Sequence, residues 1–313
     1  MELFLFILIA AAIILVLLFT FGFFCFLYLL HRSNNERPDR QKPINTAGYG
    51  EHEEKIKKAF AEYDATHKQI CSTTSKDGLT LFASFIPAKE KTDKLIIAFH
   101  GYRSSAKADF SPVFRQLLDN GYSLLLVDQR AHGRSDGTYI GFGALEKDDA
   151  FRWCNYATER FGQNVKIYLY GTSMGAATVT MAAGSYLPST VKGVIADCGF
   201  SSPLEIVEHV FKNKKKIPPY PILYFVNFWT RLIAGYNLKK HSSEKAIKKS
   251  RLPFLIIHGS EDSFVPTEMS RSIYKARTEN TRLVIVDGAA HVRSHLVNEQ
   301  LYIAEIVKFI ENN

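Results

Sequence analysis

The sequence predicts an α/β fold: a mostly parallel central sheet with helices on both faces, an insertion after the sixth strand, and an apolar helix set apart at the N-terminus. Three observations carry that expectation. From about residue 95 onward, short and wholly apolar runs alternate with helix-length segments, the pattern of strands buried on both sides. One interval, Phe200 to Arg251, breaks the alternation. Leu3 to Leu30 contains no charged residue and exceeds the roughly 20 apolar residues a helix needs to cross a bilayer.

The N-terminal run is expected to be an uncleaved transmembrane signal anchor covering residues 1–30. Glu2 precedes it where a secretion signal carries positive charge, and Phe-rich sequence ends it where a cleavage site would have small residues. Residues 31–50, with Pro38, Pro43, Gly48 and Gly50, form a linker, and Glu51 to His67 an amphipathic helix. The main folded domain is expected over 69–313. It opens on a β-hairpin of Gln69 to Ser75 and Leu79 to Ile86, turned at Lys76, Asp77 and Gly78.

Strands are then predicted at Leu95 to Phe99, Ser123 to Val127, Val165 to Tyr170, Val191 to Ala196, Phe254 to His258 and Leu283 to Val286. Helices are predicted near Pro112 to Asn120, Ala144 to Phe161, Met174 to Tyr186, Glu268 to Ala276 and Glu299 to Glu311. The interruption at about 200–251 holds Pro218, Pro219 and Pro221 and the aromatics Tyr220, Tyr224, Phe225, Phe228, Trp229 and Tyr236. It is a cap whose aromatics form either its own core or apolar walls for a ligand.

Of 313 residues, 39 are Lys or Arg and 31 Asp or Glu. Most of the surplus is local: Phe200 to Ser250 carries ten Lys and Arg against Glu205, Glu208 and Glu244. On a tethered protein such a basic cap faces anionic lipid headgroups or is simply solvated. Nucleic acid is not an expected partner, because the Lys212 to Lys216 run comes with no reading motif. Arg32, Arg37, Arg40 and Lys42 follow the anchor and no Lys or Arg precedes it, which places a single-pass protein in the cell membrane with its domain in the cytoplasm, the extracellular side being the alternative. Cys71, Cys154 and Cys198 show no CxxC spacing and imply neither a metal site nor a disulfide framework. Removing residues 1–30 is expected to leave a soluble, active protein.

Reactive residues in an open α/β sheet gather in the loops after the strands. After Val165 to Tyr170 stands Gly171, Thr172, Ser173, Met174, Gly175, a GxSxG sequence between strand and helix. Such a turn holds the serine in strained geometry with its hydroxyl exposed, and small residues two places before and after avoid collision. Ser173 is the candidate nucleophile. An unassisted hydroxyl is a poor nucleophile at neutral pH, so a base must take its proton and a carboxylate must orient the base. Asp262 follows the strand Phe254 to His258, and His291 follows Leu283 to Val286, in the Ser, Asp, His order that accompanies this elbow. Asp262 is preferred to Glu261 for its shorter side chain, with a turn-forming aspartate as the alternative. His291 is preferred to His295, and His100, His132 and His258 are expected to bond loop backbone. The oxyanion donors are expected to be the backbone NH groups of Met174 and Tyr102, the latter in the His100, Gly101, Tyr102 loop.

Taken together, the HGY loop, the Asp128 to Ser135 stretch, GTSMG, SEDSFVP and GAAH resemble the α/β-hydrolase superfamily over about residues 70 to 313. Within it the chain looks most like membrane-anchored bacterial esterases and prolyl-oligopeptidase-like hydrolases, with HGY in place of the HGGG of hormone-sensitive-type lipases. Ala131 stands where many relatives have Gly. The resemblance implies an α/β-hydrolase fold and a serine hydrolase that cleaves a carboxylic ester, thioester or amide through an acyl-enzyme, with no metal or organic cofactor. The expected partners are a small acyl ester or lipid-like substrate, and membrane lipids along residues 3–30. The same triad would serve a serine peptidase or an acyltransferase, and a noncatalytic membrane scaffold is the alternative from another class.

Overall fold

The computed structural model describes residues 1–32 and 47–313. Most of the expected linker, with Arg37, Arg40 and Lys42, lies outside the described residues. The hairpin supplies β1 (Gln69–Thr74) and β2 (Thr80–Ile86), and the apolar runs supply β3 (Lys94–Phe99), β4 (Ser123–Asp128), β5 (Lys166–Thr172), β6 (Val191–Asp197), β7 (Phe254–Gly259) and β8 (Thr281–Val286). Among the described residues these form one sheet in the order β1-β2-β4-β3-β5-β6-β7-β8. Pairing is antiparallel from β1 to β2 and from β2 to β4, and parallel from β4 through to β8.

The helices are α1 (Glu2–Leu30), α2 (Glu53–Ala65), α3 (Ala106–Asp119), α4 (Glu146–Phe161), α5 (Met174–Ala183), α6 (Pro203–His209), α7 (Ile222–Ile233), α8 (Ser243–Lys249), α9 (Thr267–Ala276), α10 (Ser294–Val297) and α11 (Glu299–Glu311). Successive strand residues point to opposite faces, and β3 shows the result. Ile96 and Ala98 join one core with Phe110 and Phe114 of α3 and Tyr302 and Ile306 of α11. Leu95, Ile97 and Phe99 join another with Trp153 of α4, Val179 of α5 and Ile273 of α9. Both faces are covered, which is why these strands are apolar throughout.

α3 begins six residues before the expected Pro112. Its cap is Ser105, whose hydroxyl oxygen accepts from the Ala108 NH at 3.2 Å, so Pro112 lies inside the helix rather than at its start. The interruption between β6 and β7 folds as α6, α7 and α8. In α7, Ile222, Val226 and Thr230 face inward, while Tyr224, Phe228 and Leu232 are exposed.

At 1.5 Å per residue, the 29 residues of α1 reach about 43 Å, more than the roughly 30 Å of a bilayer's hydrocarbon core. Its first half is exposed, but Phe26 and Leu30 are fully buried and Leu29 nearly so. They share a core with Phe142, Met174, Phe200 and Val226. Gly22 meets α7 so closely that a Cβ there would lie 2.4 Å from that of Phe225. The rings of Phe19 and Phe23 pack on Trp229, with centroids 4.6 and 4.9 Å away. Beyond the helix, Ile140 donates its NH to Leu30 O at 2.7 Å, and Arg32 donates to Gly133 O and Ser135 O at 2.5 and 2.6 Å. The end of α1 is therefore built into the domain, contrary to the expectation of a detachable tether.

Candidate active site

The chain runs from β3 to β4 on one side of it and then crosses to β5 on the other. The loops after β3 and β5 part at that reversal and open a crevice at the carboxyl ends of the strands. Ser173 stands there, at the junction of β5 and α5, with φ 55° and ψ −113°. An L-residue in this region is strained, and its neighbours explain how the strain is held. A Cβ on Gly171 would lie 2.1 Å from Gly175 O, and one on Gly175 would lie 1.8 Å from Phe99 O. Only glycine lets α5 approach the end of β3 so closely.

The Ser173 hydroxyl donates to His291 Nε2 at 3.0 Å, and His291 Nδ1 donates to Asp262 Oδ2 at 2.6 Å. The other carboxylate oxygen, Oδ1, accepts from the NH groups of Phe264 and Val265 at 2.9 and 2.8 Å. Burial alone would raise the Asp262 pKa, but the imidazoles of His258 and His291 outweigh it and hold the carboxyl well below its ordinary range. An ionised Asp262 accepts only, so His291 carries its proton on Nδ1 and leaves Nε2 free to accept from serine. The three residues expected from chain order are thus brought into one hydrogen-bonded line.

His258 is fully buried, and its Nε2 lies 3.2 Å from Asp262 Oδ2 and donates to Val265 O at 2.9 Å. Its Nδ1 accepts from the Ser270 hydroxyl at 2.6 Å. The pattern fixes the loop that carries Asp262. His100 and His132 also bond backbone, accepting at Nε2 from the NH groups of Gln129 and Arg103. His295, the rival to His291, is buried and packs on Tyr302.

Met174 opens α5 and Tyr102 follows Gly101, whose ideal Cβ would lie 3.4 Å from the Ser173 Cβ. The loop of the second expected oxyanion donor therefore runs beside the serine. It is held by Asp109, which sequence reasoning missed: one carboxylate oxygen accepts from the Gly101 NH at 2.6 Å and the other from the Ser104 hydroxyl at 2.5 Å. Burial pushes the Asp109 pKa up against those bonds. Asp197, at the end of β6, was also missed. It accepts from the Tyr302 hydroxyl at 2.6 Å, and burial raises its pKa to about 6. The Cys198 thiol lies within 4.8 Å of the Asp262 and His291 side chains, and burial keeps its pKa well above the usual thiol value.

The Asp128 to Ser135 stretch is a scaffold. Arg130 pairs with buried Asp149, Arg134 with Asp128, and the Ser135 hydroxyl accepts from the Phe82 NH. Ala131 has φ 60°, a conformation costing an L-residue roughly 1–2 kcal/mol. That is the physical reason glycine suits this position.

A cavity of about 280 Å³ opens on Ser173, walled by Tyr28, Leu29, Tyr102, Phe142, Phe200 and Val207. The Phe264 ring borders it with its centroid 5.0 Å from that of His291. A larger cleft of about 750 Å³ lies by Pro87–Lys94 and Phe161, at the opposite ends of the strands, and holds none of these groups.

Known proteins are similar to this chain in sequence and fold. Residues 90–223 match the family described as serine aminopeptidase, S33. YqkD of Bacillus subtilis is 27% identical over 225 residues, covering 72% of this chain and 73% of its own. Caffeoylshikimate esterase of Arabidopsis thaliana is 22% identical over 255 residues, covering 69% of this chain and 76% of its own. An esterase of Pyrococcus furiosus superposes with a TM-score of 0.66 at 24% identity, covering 80% of this chain and 93% of its own.

Proposed function

We propose that this chain, which has the fold of an α/β hydrolase, is a membrane-anchored serine esterase using Ser173, His291 and Asp262. The observation that carries this reading is the unbroken line from the Ser173 hydroxyl through His291 to Asp262, at 3.0 and 2.6 Å, set at the reversal in strand order. Ser173 Oγ attacks the ester carbonyl while His291 Nε2 takes its proton. The developing oxyanion receives the NH groups of Met174 and Tyr102, each such donor being worth about 100- to 1,000-fold in rate. On collapse, the C–O bond to the alcohol breaks, the alcohol leaves with the proton from His291, and the acyl group stays on Ser173. Water, deprotonated by His291, then releases the acid and restores the serine.

The purified full chain in detergent micelles should hydrolyse p-nitrophenyl esters, and Ser173→Ala should abolish turnover. Hydrolysis surviving that substitution would overturn the assignment. A fluorophosphonate that labels neither protein would favour a noncatalytic scaffold.

The aminopeptidase description of the matched family brings a second reading. An aminopeptidase must hold a protonated amine, yet among the described residues the cavity lining contains no carboxylate and does contain Arg103, Lys214 and Lys215. That charge favours an uncharged or anionic ester. For location, α1 supplies the membrane span, and the basic residues that follow it favour a cytoplasmic domain.

A further inference from the structure

The span and the active site are not separate parts of this molecule. About 20 of the 29 residues of α1 suffice for the hydrocarbon core, which leaves its last turns, from Gly22 onward, at the headgroup level. Those turns are the ones packed on α7 and on the loop after β3. The Tyr102 hydroxyl donates to Leu29 O at 2.8 Å, and Arg103 donates to Tyr28 O at 2.7 Å. Leu29 and Tyr28 then line the cavity together with Ser173, Phe200 and Val207. At the rim Lys215 donates to the Tyr28 hydroxyl at 3.1 Å.

The cap carries the same orientation. Tyr224, Phe228 and Leu232 recur every four residues along α7 and are 56, 46 and 65% exposed, a stripe on one side of the cap, with the Tyr220 ring just before the helix 4.9 Å from that of Tyr224. It lies on the helix that packs against α1, and Phe228 itself packs against Phe19. An exposed apolar stripe next to the exposed apolar first half of α1 is suited to the leaflet that would hold the span. Tyr28, which lines the cavity, is itself 57% exposed.

We propose that α1 is a wall of the substrate site as well as an anchor, with Leu29 and Tyr28 selecting the acyl group. The substrate class is a membrane-resident ester with one long acyl chain, which enters from the leaflet along α1. A cavity of about 280 Å³ lies just below the usual range of about 300–1,000 Å³ for ligand sites, so it takes the carboxyl end of a single chain while the rest stays in the leaflet. This inference rests on the esterase reading above.

The test compares kcat/KM for p-nitrophenyl palmitate and butyrate in the full chain held in lipid nanodiscs, with fluorophosphonate labelling of Ser173 as a separate measure of an intact site. The wild type should hydrolyse both. Leu29→Trp should lower the palmitate-to-butyrate ratio by about tenfold or more, since a single methylene in an apolar pocket is worth about 10- to 200-fold. Leu29→Ala and Tyr28→Ala should shift the ratio toward longer or bulkier acyl groups. If Leu29→Trp fails to label, the two alanine variants decide. A ratio unchanged in every labelled variant, or a wild type that takes butyrate and refuses palmitate, overturns the proposal. A wild type that neither labels nor cleaves any ester refutes the esterase reading instead.

Discussion

Replacing Asp262 by Asn tests the orientation of His291 with almost no change in shape. The carboxylate now accepts from four NH groups: His291 Nδ1 and His258 Nε2 at one oxygen, and the Phe264 and Val265 amides at the other. An amide has one oxygen, and the two fixed backbone donors claim it. Its NH₂ must then face His291 Nδ1, which becomes an acceptor, and the imidazole proton moves to Nε2. A protonated Nε2 cannot take the proton of Ser173. The same tautomer error in a serine triad costs about 10⁴ in kcat, or about 5.5 kcal/mol at 1.36 kcal/mol per decade. The NH₂ also meets the His258 Nε2–H, donor against donor, which should cost stability by about 1–3 kcal/mol. The assay is steady-state hydrolysis of p-nitrophenyl butyrate by Asp262→Asn, with its melting temperature measured alongside. A loss below tenfold in a folded protein would refute the reasoning and move the orienting role to another carboxylate whose charge interacts with His291, Asp197 or Asp109.

Gly175→Ala should drive a methyl into Phe99 O, 1.8 Å from the ideal Cβ position. Overpacking of this kind costs about 1–3 kcal/mol or more, so thermal unfolding should shift clearly downward with activity lost; an unchanged melting temperature and rate would show that the elbow tolerates a side chain. Asp197 holds its proton more tightly folded, at about 6, than unfolded, at about 3.9. Its contribution to stability is therefore full below about pH 4 and falls as pH rises through 6, by on the order of 2–3 kcal/mol. Asp197→Asn should melt higher than the wild type at pH 7.5 and gain little at pH 4, and equal shifts at both pH values would contradict the burial argument. Deleting residues 1–32 removes Phe26, Leu29 and Leu30 from the core, each worth about 1.5–3 kcal/mol. The shortened protein should aggregate or melt far lower, whereas a soluble, fully active product would show that α1 is only a tether.

The parts of the site that were legible in the sequence are those whose chemistry demands a local pattern. The elbow needs glycine at 171 and 175 for steric reasons visible within five residues, and the strands after it place Asp262 and His291 by order alone. The helix start at Ser105 was obscured because Pro112 imitates an N-terminal signal, although it sits inside the turn pattern set by the serine cap. Asp109 fell outside the helix expected near Pro112, and its bond to the Gly101 NH depends on a loop folding back over it. Tyr28 and Leu29 were hidden most completely. Apolar residues in a span carry no mark of whether lipid or protein will cover them, and Gly22, the one residue that signals close approach, is common in membrane helices for several reasons. Their place is set by bonds from Tyr102 and Arg103 in the loop after β3 and from Lys215.

Mass spectrometry of the full chain, quenched in acid during turnover of p-nitrophenyl butyrate, tests the central claim most directly. A butyryl group on the peptide containing Ser173, absent from Ser173→Ala, is the predicted result. An acyl group on any other residue, or turnover by Ser173→Ala at the wild-type rate, would contradict the account.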